Sequence, residues 1–308
     1  MSEDVPMNTP MYIRNVLVVF KKTKFELDSD QHKDPEFLKR IYKIQNDCFD
    51  KVFQSHERQI KNREFMKREV FPDGKFIFRD GLDTIKLEDF DLVVSHGGDN
   101  HFTYVAHYSL NNLVLGCNSD NQTSVGALLS YQPEMLLECV KKGWKGSNIE
   151  EWTLISVRIE YPDGRVIETV QGVSEISIRN NSPDLTSRYI IYDRGIVEEQ
   201  KSSGLLLYTG AGSTGWYASC VQKPNPIPAY SKTAPYFRVY SRELGAREKD
   251  RYKLTDFKVE NNFTVVSEMN GGISVDSLPE NIYDFPAGAK ANFAVSSKKL
   301  NVVTNYDK

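Results

Sequence analysis

Three short, unbroken apolar runs before residue 116 constrain this chain more than any other feature. They are Val16-Leu17-Val18-Val19-Phe20, the stretch Asp91-Leu92-Val93-Val94-Ser95, and Leu113-Val114-Leu115. Each has strand length and little polar alternation, the pattern of a strand covered on both faces. Strands of that kind pair in parallel and need long, usually helical, crossovers. Helical signals occur where crossovers are needed. Asp34 followed by Pro35 is a side-chain cap ahead of a residue with φ already helical. From there Leu38, Ile41, Cys48, Val52 and His56 keep near-helical spacing to about Phe65, widened by Phe49 and Phe53, with Lys and Arg on a solvated face. Pro72-Asp73-Gly74 is a turn. A second helical segment, His101 to Leu110, joins the second and third runs. The expected first domain is α/β, with a Rossmann-like, doubly wound parallel sheet.

Beyond about residue 150 the period changes to two. Leu154, Ser156, Arg158 and Glu160 alternate with Ile155, Val157 and Ile159, then Pro162-Asp163-Gly164 turns into a strand from Val166 to Val170. Strand signals recur around 173–179, 188–193, 204–209, 254–259, 262–267 and 291–303. Short strands with turn punctuation predict an all-β, β-sandwich-like second domain. The expected boundaries are 1–128 and 129–308. Pro133 to Lys142 serves as a joining helix, and the last strand is able to pack back toward the first domain. A length of 308 residues suits two domains.

Composition narrows the partners. Lys plus Arg is 39 and Asp plus Glu 42, a net charge of −3, which lacks the basic field that nucleic acid requires. No apolar run reaches the roughly 18 residues of a membrane helix. Residues 1–10 are polar and slightly acidic, so neither a signal nor a transit peptide is expected. The cysteines, Cys48, Cys117, Cys139 and Cys220, form no close pair, which argues against a zinc site or a disulfide framework and for a reducing, cytoplasmic setting.

Two glycine loops could carry chemistry. Gly97-Gly98-Asp99 follows a buried strand and precedes a helix, where glycine backbone and helix-start amides suit phosphate oxygens. A carboxylate there makes sense as a base or a magnesium ligand rather than as an affinity group. On the tripeptide alone, a plain strand-to-helix turn is the simpler explanation. The second loop, Thr209-Gly210-Ala211-Gly212-Ser213-Thr214-Gly215, follows the apolar strand Gly204 to Tyr208 and leads into a helix running on to the prolines at 224 and 226. It fits neither the dinucleotide fingerprint nor the P-loop. Two such loops together point to a phosphorylated ligand. His96 and His107 read as polar loop and helix-surface residues. His101, beside the first loop, could donate to a phosphate. No metal site is completed by these histidines.

Taken together, the loops are specific. Gly97-Gly98-Asp99-Asn100-His101, Ser174-Glu175 and Gly212-Ser213-Thr214-Gly215-Trp216 match in order and separation the Gly-Gly-Asp-Gly-Thr, Asn-Glu and Gly-Ser-Thr-Ala-Tyr signatures of the NAD kinase family, which the chain resembles from about residue 13 to about 303. Lys21-Lys22-Thr23-Lys24-Phe25-Glu26, Asn118-Ser119-Asp120, Gln200 to Leu205 and Trp216 resemble the mitochondrial-type branch and its bacterial relatives. The resemblance implies a ligand site between the two domains and a homodimer or higher homo-oligomer. It also implies phosphoryl transfer from ATP, or another phosphate donor, with Mg2+, to the 2′-hydroxyl of the adenosine ribose of NAD. It makes Asp99 the general base. It puts Asn118, Ser174, Glu175, Thr214, Gly215, Trp216 and Ser219 on the dinucleotide. It puts Gly97, Gly98, Asn100, His101, Gly210, Gly212 and Ser213 on phosphates. With a net charge of −3, local amides, magnesium and residues such as Lys22 or Lys24 must neutralise the phosphates. Asn100 and His101 replace Gly and Thr of the signature, Ser174 replaces Asn, and Gly215-Trp216 replace Ala-Tyr. A donor other than ATP, a different acceptor such as a sugar or another nucleoside, and a catalytically silent nucleotide sensor therefore stay open here.

Overall fold

The apolar runs become strands because a tightly filled layer waits on each face. The structure, a computed structural model, describes residues 12–46, 48–221, 226–245 and 251–305. The readings placed on residues 1–10 and on Pro224 lie outside these. The chain divides into two units, Met1–Glu150 with Asn301–Lys308, and Glu151–Leu300.

In the first unit, β1 (Val16–Phe20), β2 (Lys75–Phe78), β3 (Leu92–Gly97) and β4 (Leu113–Asn118) form a parallel sheet in the order β2-β1-β3-β4. The last residues of the final strand β16 (Lys290–Asn305) extend it, with Asn301, Val302 and Val303 parallel to Leu113, Val114 and Leu115. Alternate side chains serve two cores. Val16, Val18, Phe20, Leu92 and Val94 face Met66, Val70, Leu136 and Trp144, while Leu17, Val19 and Val93 face Leu82 and Val105. Leu17, Val18 and Val19 have no exposed surface. Burying such side chains contributes roughly 1.5–3 kcal/mol each. The order reverses between β1 and β3, which makes the carboxyl ends of these two strands the topological switch point of the sheet.

Helix α1 (Lys24–Gln31) starts on a capping box made by Thr23 and Glu26. The single long helix expected from residue 35 to about 65 is two, α2 (Pro35–Ile44) and α3 (Phe49–Phe65). Asn46 breaks the run with a left-handed backbone at φ 65°, a conformation asparagine tolerates better than other side chains. Helix α4 (Asp99–Tyr108) leaves β3 directly. Helix α5 (Pro133–Lys141) belongs to the first unit rather than joining two. Tyr131, Leu136, Cys139 and Trp144 fill the core of that unit, so the division falls after residue 150, not after 128.

The second unit holds two antiparallel layers. One runs β12 (Asp256–Val259), β11 (Phe237–Ser241), β10 (Leu205–Tyr208), β7 (Glu175–Asn180), β14 (Gly271–Val275), β15 (Ile282–Phe285). In the other, residues 290–294 of β16 pair with β13 (Asn262–Ser267), then β8 (Ser187–Asp193) and β9 (Ile196–Ser202). The long β5 (Ser147–Glu160) pairs with β6 (Val166–Glu168). Ile176, Ile178, Leu205, Leu207, Val239 and Ile273 from one layer share a core with Tyr189, Ile191, Phe263, Val265, Ala291 and Phe293 from the other. This is the expected sandwich. The short helix α6 (Trp216–Cys220) follows β10.

Candidate functional site

The first constellation sits at the carboxyl edge of the parallel sheet. Gly97 ends β3, Gly98 caps α4 in extended conformation, and Asp99 is the first helical residue. The Asp99 carboxylate accepts from the backbone N–H of Ala127 at 3.0 Å and of Leu128 at 2.9 Å. Two amides thus fix its plane, and each oxygen keeps a lone pair for a further partner. Gly97 must be glycine for packing, since a Cβ there would lie 2.5 Å from the His101 ring. Asn118 lies opposite Gly97 in the β3–β4 ladder. Its side chain donates to the Ser124 carbonyl at 3.0 Å and accepts from the Asp120 N–H at 3.0 Å. Asn118 therefore shapes the loop that carries residues 127 and 128.

Asp120 fastens that loop to α3. It takes a two-point bond from Arg58, at 2.9 Å on each oxygen, and hydroxyl bonds from Ser55 at 2.6 Å and Thr123 at 2.9 Å. Burial works to raise its pKa, but these donors outweigh it and hold the carboxyl below the ordinary range.

His96 and His101 depart from their sequence reading. His96 is a strand residue, 1% exposed, edge-on to Phe20 at 5.3 Å. Burial, then the neighbouring His101 and Arg63, push its pKa down to about 3. His101 turns inward: its Nε2 donates to the Val19 carbonyl at 3.0 Å, and burial is the main reason its pKa drops to about 4. An uncharged ring bonded to the strand beneath is not placed to donate to a phosphate. His107 is half-buried on α4. Asn100 is exposed, and its carbonyl accepts from Thr103.

The second constellation lies wholly in the second unit, where the fold brings Ser174-Glu175 against the Gly210–Gly215 loop. Thr209 donates through Oγ1 to the Val173 carbonyl at 2.7 Å, and its N–H bonds the Ser174 carbonyl at 3.0 Å. The same Oγ1 accepts from the N–H of Ala211 at 3.1 Å. Ser213 donates to the Gly210 carbonyl at 2.7 Å. At Gly212 a Cβ would lie 2.2 Å from the Ser174 carbonyl oxygen, and at Gly210 a Cβ would lie 2.1 Å from the Ser231 carbonyl oxygen. These glycines permit backbone-on-backbone packing, while Thr214, Gly215 and Ser219 stay exposed. Trp216 is half-buried, with the Arg242 guanidinium 4.9 Å from its ring centre.

Sequence reasoning missed Asp276. It follows β14 with φ 53°, is 2% exposed, and accepts the backbone N–H groups of Val173 at 2.8 Å, Ser174 at 2.7 Å and Glu175 at 2.9 Å. Nothing in Val275-Asp276-Ser277 advertises a contact about one hundred residues away. Burial, then the Asp276 charge, raise the Glu175 carboxyl to about 7, against hydroxyl bonds from Ser174 and Ser277. Among the described residues, no group of three or more His, Cys, Asp or Glu could hold a metal ion, and no helix is long and apolar enough to cross a membrane.

No protein-family model matches the chain. It is 24% identical over 131 residues to an NAD kinase of Chlorobium phaeobacteroides; the match covers 42% of this chain and 44% of that protein, less than half its length. Two solved structures share its fold almost from end to end. An NAD kinase from Archaeoglobus fulgidus, in complex with ATP, superposes with a TM-score of 0.60 at 19% identity, covering 96% of this chain and 95% of the other. Yeast NADH kinase complexed with NADH gives a TM-score of 0.67 at 12% identity, covering 96% and 85%. The fold is that of the NAD kinases, as the motif resemblance implied.

Proposed function

We propose that this chain, built on the NAD kinase fold, transfers a phosphoryl group from ATP or another phosphate donor to the 2′-hydroxyl of the adenosine ribose of NAD. The observation that carries the reading is Asp99. It is a carboxylate oriented by two amides, on the first residue of a helix, at the switch point of a parallel sheet. Ligands of open α/β sheets bind at that place. Asp99 accepts the hydroxyl proton as the ribose oxygen attacks the donor's terminal phosphorus, and the bond from that phosphorus to the bridging oxygen breaks, so that the remainder of the donor leaves with the bridging oxygen and its electron pair. Phosphoryl transfer otherwise depends on positioning and charge neutralisation.

In this reading Ser174, Glu175, Thr214, Gly215, Trp216 and Ser219 hold the dinucleotide. Backbone amides of Gly97, Gly98, Asn100, Gly210, Gly212 and Ser213 meet phosphates. Asn118 shapes the loop under Asp99. Magnesium comes with the donor's phosphates, which suits a chain with a lone loop carboxylate and no three-residue acidic cluster among the described residues, because Mg2+ is commonly bound by one or two carboxylates plus substrate phosphates. A homo-oligomer and a cytoplasmic setting complete the proposal. Four free cysteines support a reducing compartment, and a measurement of the mass in solution tests the homo-oligomer.

The test mixes purified protein and magnesium with NAD or NADH, and with ATP, inorganic polyphosphate or pyrophosphate. Formation of NADP or NADPH is expected with at least one pair. No product with any pair sinks the assignment. A thermal shift with nucleotide but no turnover would favour the silent sensor, and turnover of a different hydroxyl acceptor would favour a sister activity on the same fold.

A further inference from the structure

A cavity of about 390 Å³ opens on the second unit where β5, β6 and β16 meet. Strand alternation decides what lines it. Ile155, Val157 and Ile159 of β5 belong to the sandwich core, so Ser156 and Arg158 take the other face. Glu168 of β6 lies directly opposite Arg158 in the antiparallel ladder. On the other flank β16 brings Asn292 and the segment Ser296-Ser297-Lys298. Because β5 runs between β6 and β16, the cavity has an acidic side and a basic side, with Ser156 between them.

The floor is held in place. Ser156 donates to the Ala294 carbonyl at 3.3 Å, Asn292 donates to Thr264 Oγ1 at 3.2 Å, and the Ser296 hydroxyl accepts from the Lys298 N–H at 3.0 Å. The charges at the two sides are not engaged. Arg158 gives its hydrogen bond to Glu160 of its own strand rather than to Glu168 across the ladder. Among the described residues, none pairs with the Glu168 carboxylate or with the Lys298 ammonium, and both residues are exposed. On the acidic side Gln171 also lines the cavity, and its Oε1 is buried with no donor among the described residues. A buried acceptor without a donor is costly, so this atom calls for an N–H or O–H group from a ligand. A simple anion would suit Lys298 but face Glu168. A simple cation would suit Glu168 but face Lys298, and a neutral sugar would meet neither charge.

We propose that this cavity binds a small zwitterion of the amino-acid class. The ligand's ammonium donates to the Glu168 carboxylate and to Gln171 Oε1. Its carboxylate accepts from the Lys298 ammonium and the Ser297 hydroxyl. Both of its charges are then met by opposite charge, and the buried acceptor gains its donor. None of these residues belongs to the constellations around Asp99 or Glu175, and the inference does not rest on the phosphotransfer reading.

The experiment is calorimetric titration of the full chain with each of the standard L-amino acids. The one bound most tightly is then compared with its N-acetyl derivative, which has no ammonium, and its amide, which has no carboxylate. The variants are Glu168→Gln, Lys298→Met and the charge-preserving Lys298→Arg. Charge-assisted hydrogen bonds are the strong ones, so each neutral variant and each derivative should weaken binding about tenfold. Lys298→Arg should stay within a few-fold of wild type. Both side chains are exposed, so the melting temperature without ligand should not move. The proposal is overturned if no amino acid binds, or if both neutral variants bind it unchanged. An N-acetyl derivative bound as tightly as its parent makes this a plain anion site, and an amide bound as tightly makes it a plain cation site. Either result overturns the zwitterion assignment.

Discussion

Replacing Asp276 by asparagine should loosen the second unit at the residues assigned to the dinucleotide. The two side chains have the same shape, and asparagine accepts the left-handed backbone that Asp276 adopts at φ 53°. What changes is hydrogen-bonding capacity. The carboxylate accepts three buried N–H groups: Oδ1 takes Ser174 and Glu175, and Oδ2 takes Val173. Asparagine offers one oxygen and turns an NH2 toward at least one of these donors. Losing a charged acceptor and leaving an N–H unsatisfied costs about 1.5–3 and about 1–3 kcal/mol respectively. Some of this is returned, because the Glu175 carboxyl no longer faces the Asp276 charge. The net expectation is a loss of about 2–4 kcal/mol, or a fall of roughly 5–15 °C in melting temperature for a unit of this size. Thermal melts and urea titrations at pH 8 read the loss, and equilibrium binding reads a weaker grip on NAD. A melting temperature within about 1 °C of wild type would show that Asp276 does not hold the 173–175 backbone, and the binding role proposed for Ser174 and Glu175 would fall with it.

Three further outcomes follow from the same geometry. Asp99→Asn should keep nucleotide affinity within a few-fold and lower kcat by about 10²–10⁴, the usual reach of a general base; near-wild-type turnover would remove Asp99 from that role. Glu175, raised from 4.5 to about 7, stays protonated when folded over a range where the unfolded chain ionises. Its contribution to stability is therefore greatest below about pH 4.5 and is lost as pH rises through about 7. The stability difference between wild type and Glu175→Gln should shift across pH 5–8 in that direction, and a flat difference in chemical melts contradicts it. His96 carries the opposite sign, because its pKa falls from 6.5 to about 3. Below about pH 6.5 the unfolded chain binds a proton that the buried ring does not, so stability falls toward pH 3 by up to ~1.4 kcal/mol per pH unit. His96→Met should flatten the acid limb by about one proton, as measured by urea melts from pH 4 to 7; an unchanged slope would mean that His96 is not held neutral.

Most of the architecture was legible because burial writes itself into apolar runs. The runs at 16, 92 and 113 are strands, and the period-two stretch at 154–160 lies within β5. Strands that were overlooked lack that signature. β9 reads Ile-Val-Glu-Glu-Gln-Lys-Ser, a polar run at the edge of its layer, and β14 begins with two glycines. The break at Asn46 escaped notice because the apolar spacing continues across it, and only the backbone angle ends the helix. The boundary at 128 looked natural because the residues after it resemble a connector, yet Tyr131 and Leu136 are wholly buried in the first unit.

The sequence by itself determined the order and chemistry of the parts: a parallel α/β sheet, an antiparallel sandwich, and glycine loops with Asp99, Ser174 and Glu175 in a spacing that resembles one family. Those properties reside in runs of adjacent residues, where hydrophobicity, turn chemistry and motif spacing act locally. The tertiary structure alone decided which groups are already taken. His101 turned from a loop donor into a strand partner, Lys22 and Lys24 were claimed by Asp30 and Asp28, and Asp276 came back to hold Glu175. A side chain's charge, proton and partner depend on what lies a few ångströms away, and for these residues the deciding neighbour or the depth of burial is set by folding rather than by the adjacent sequence.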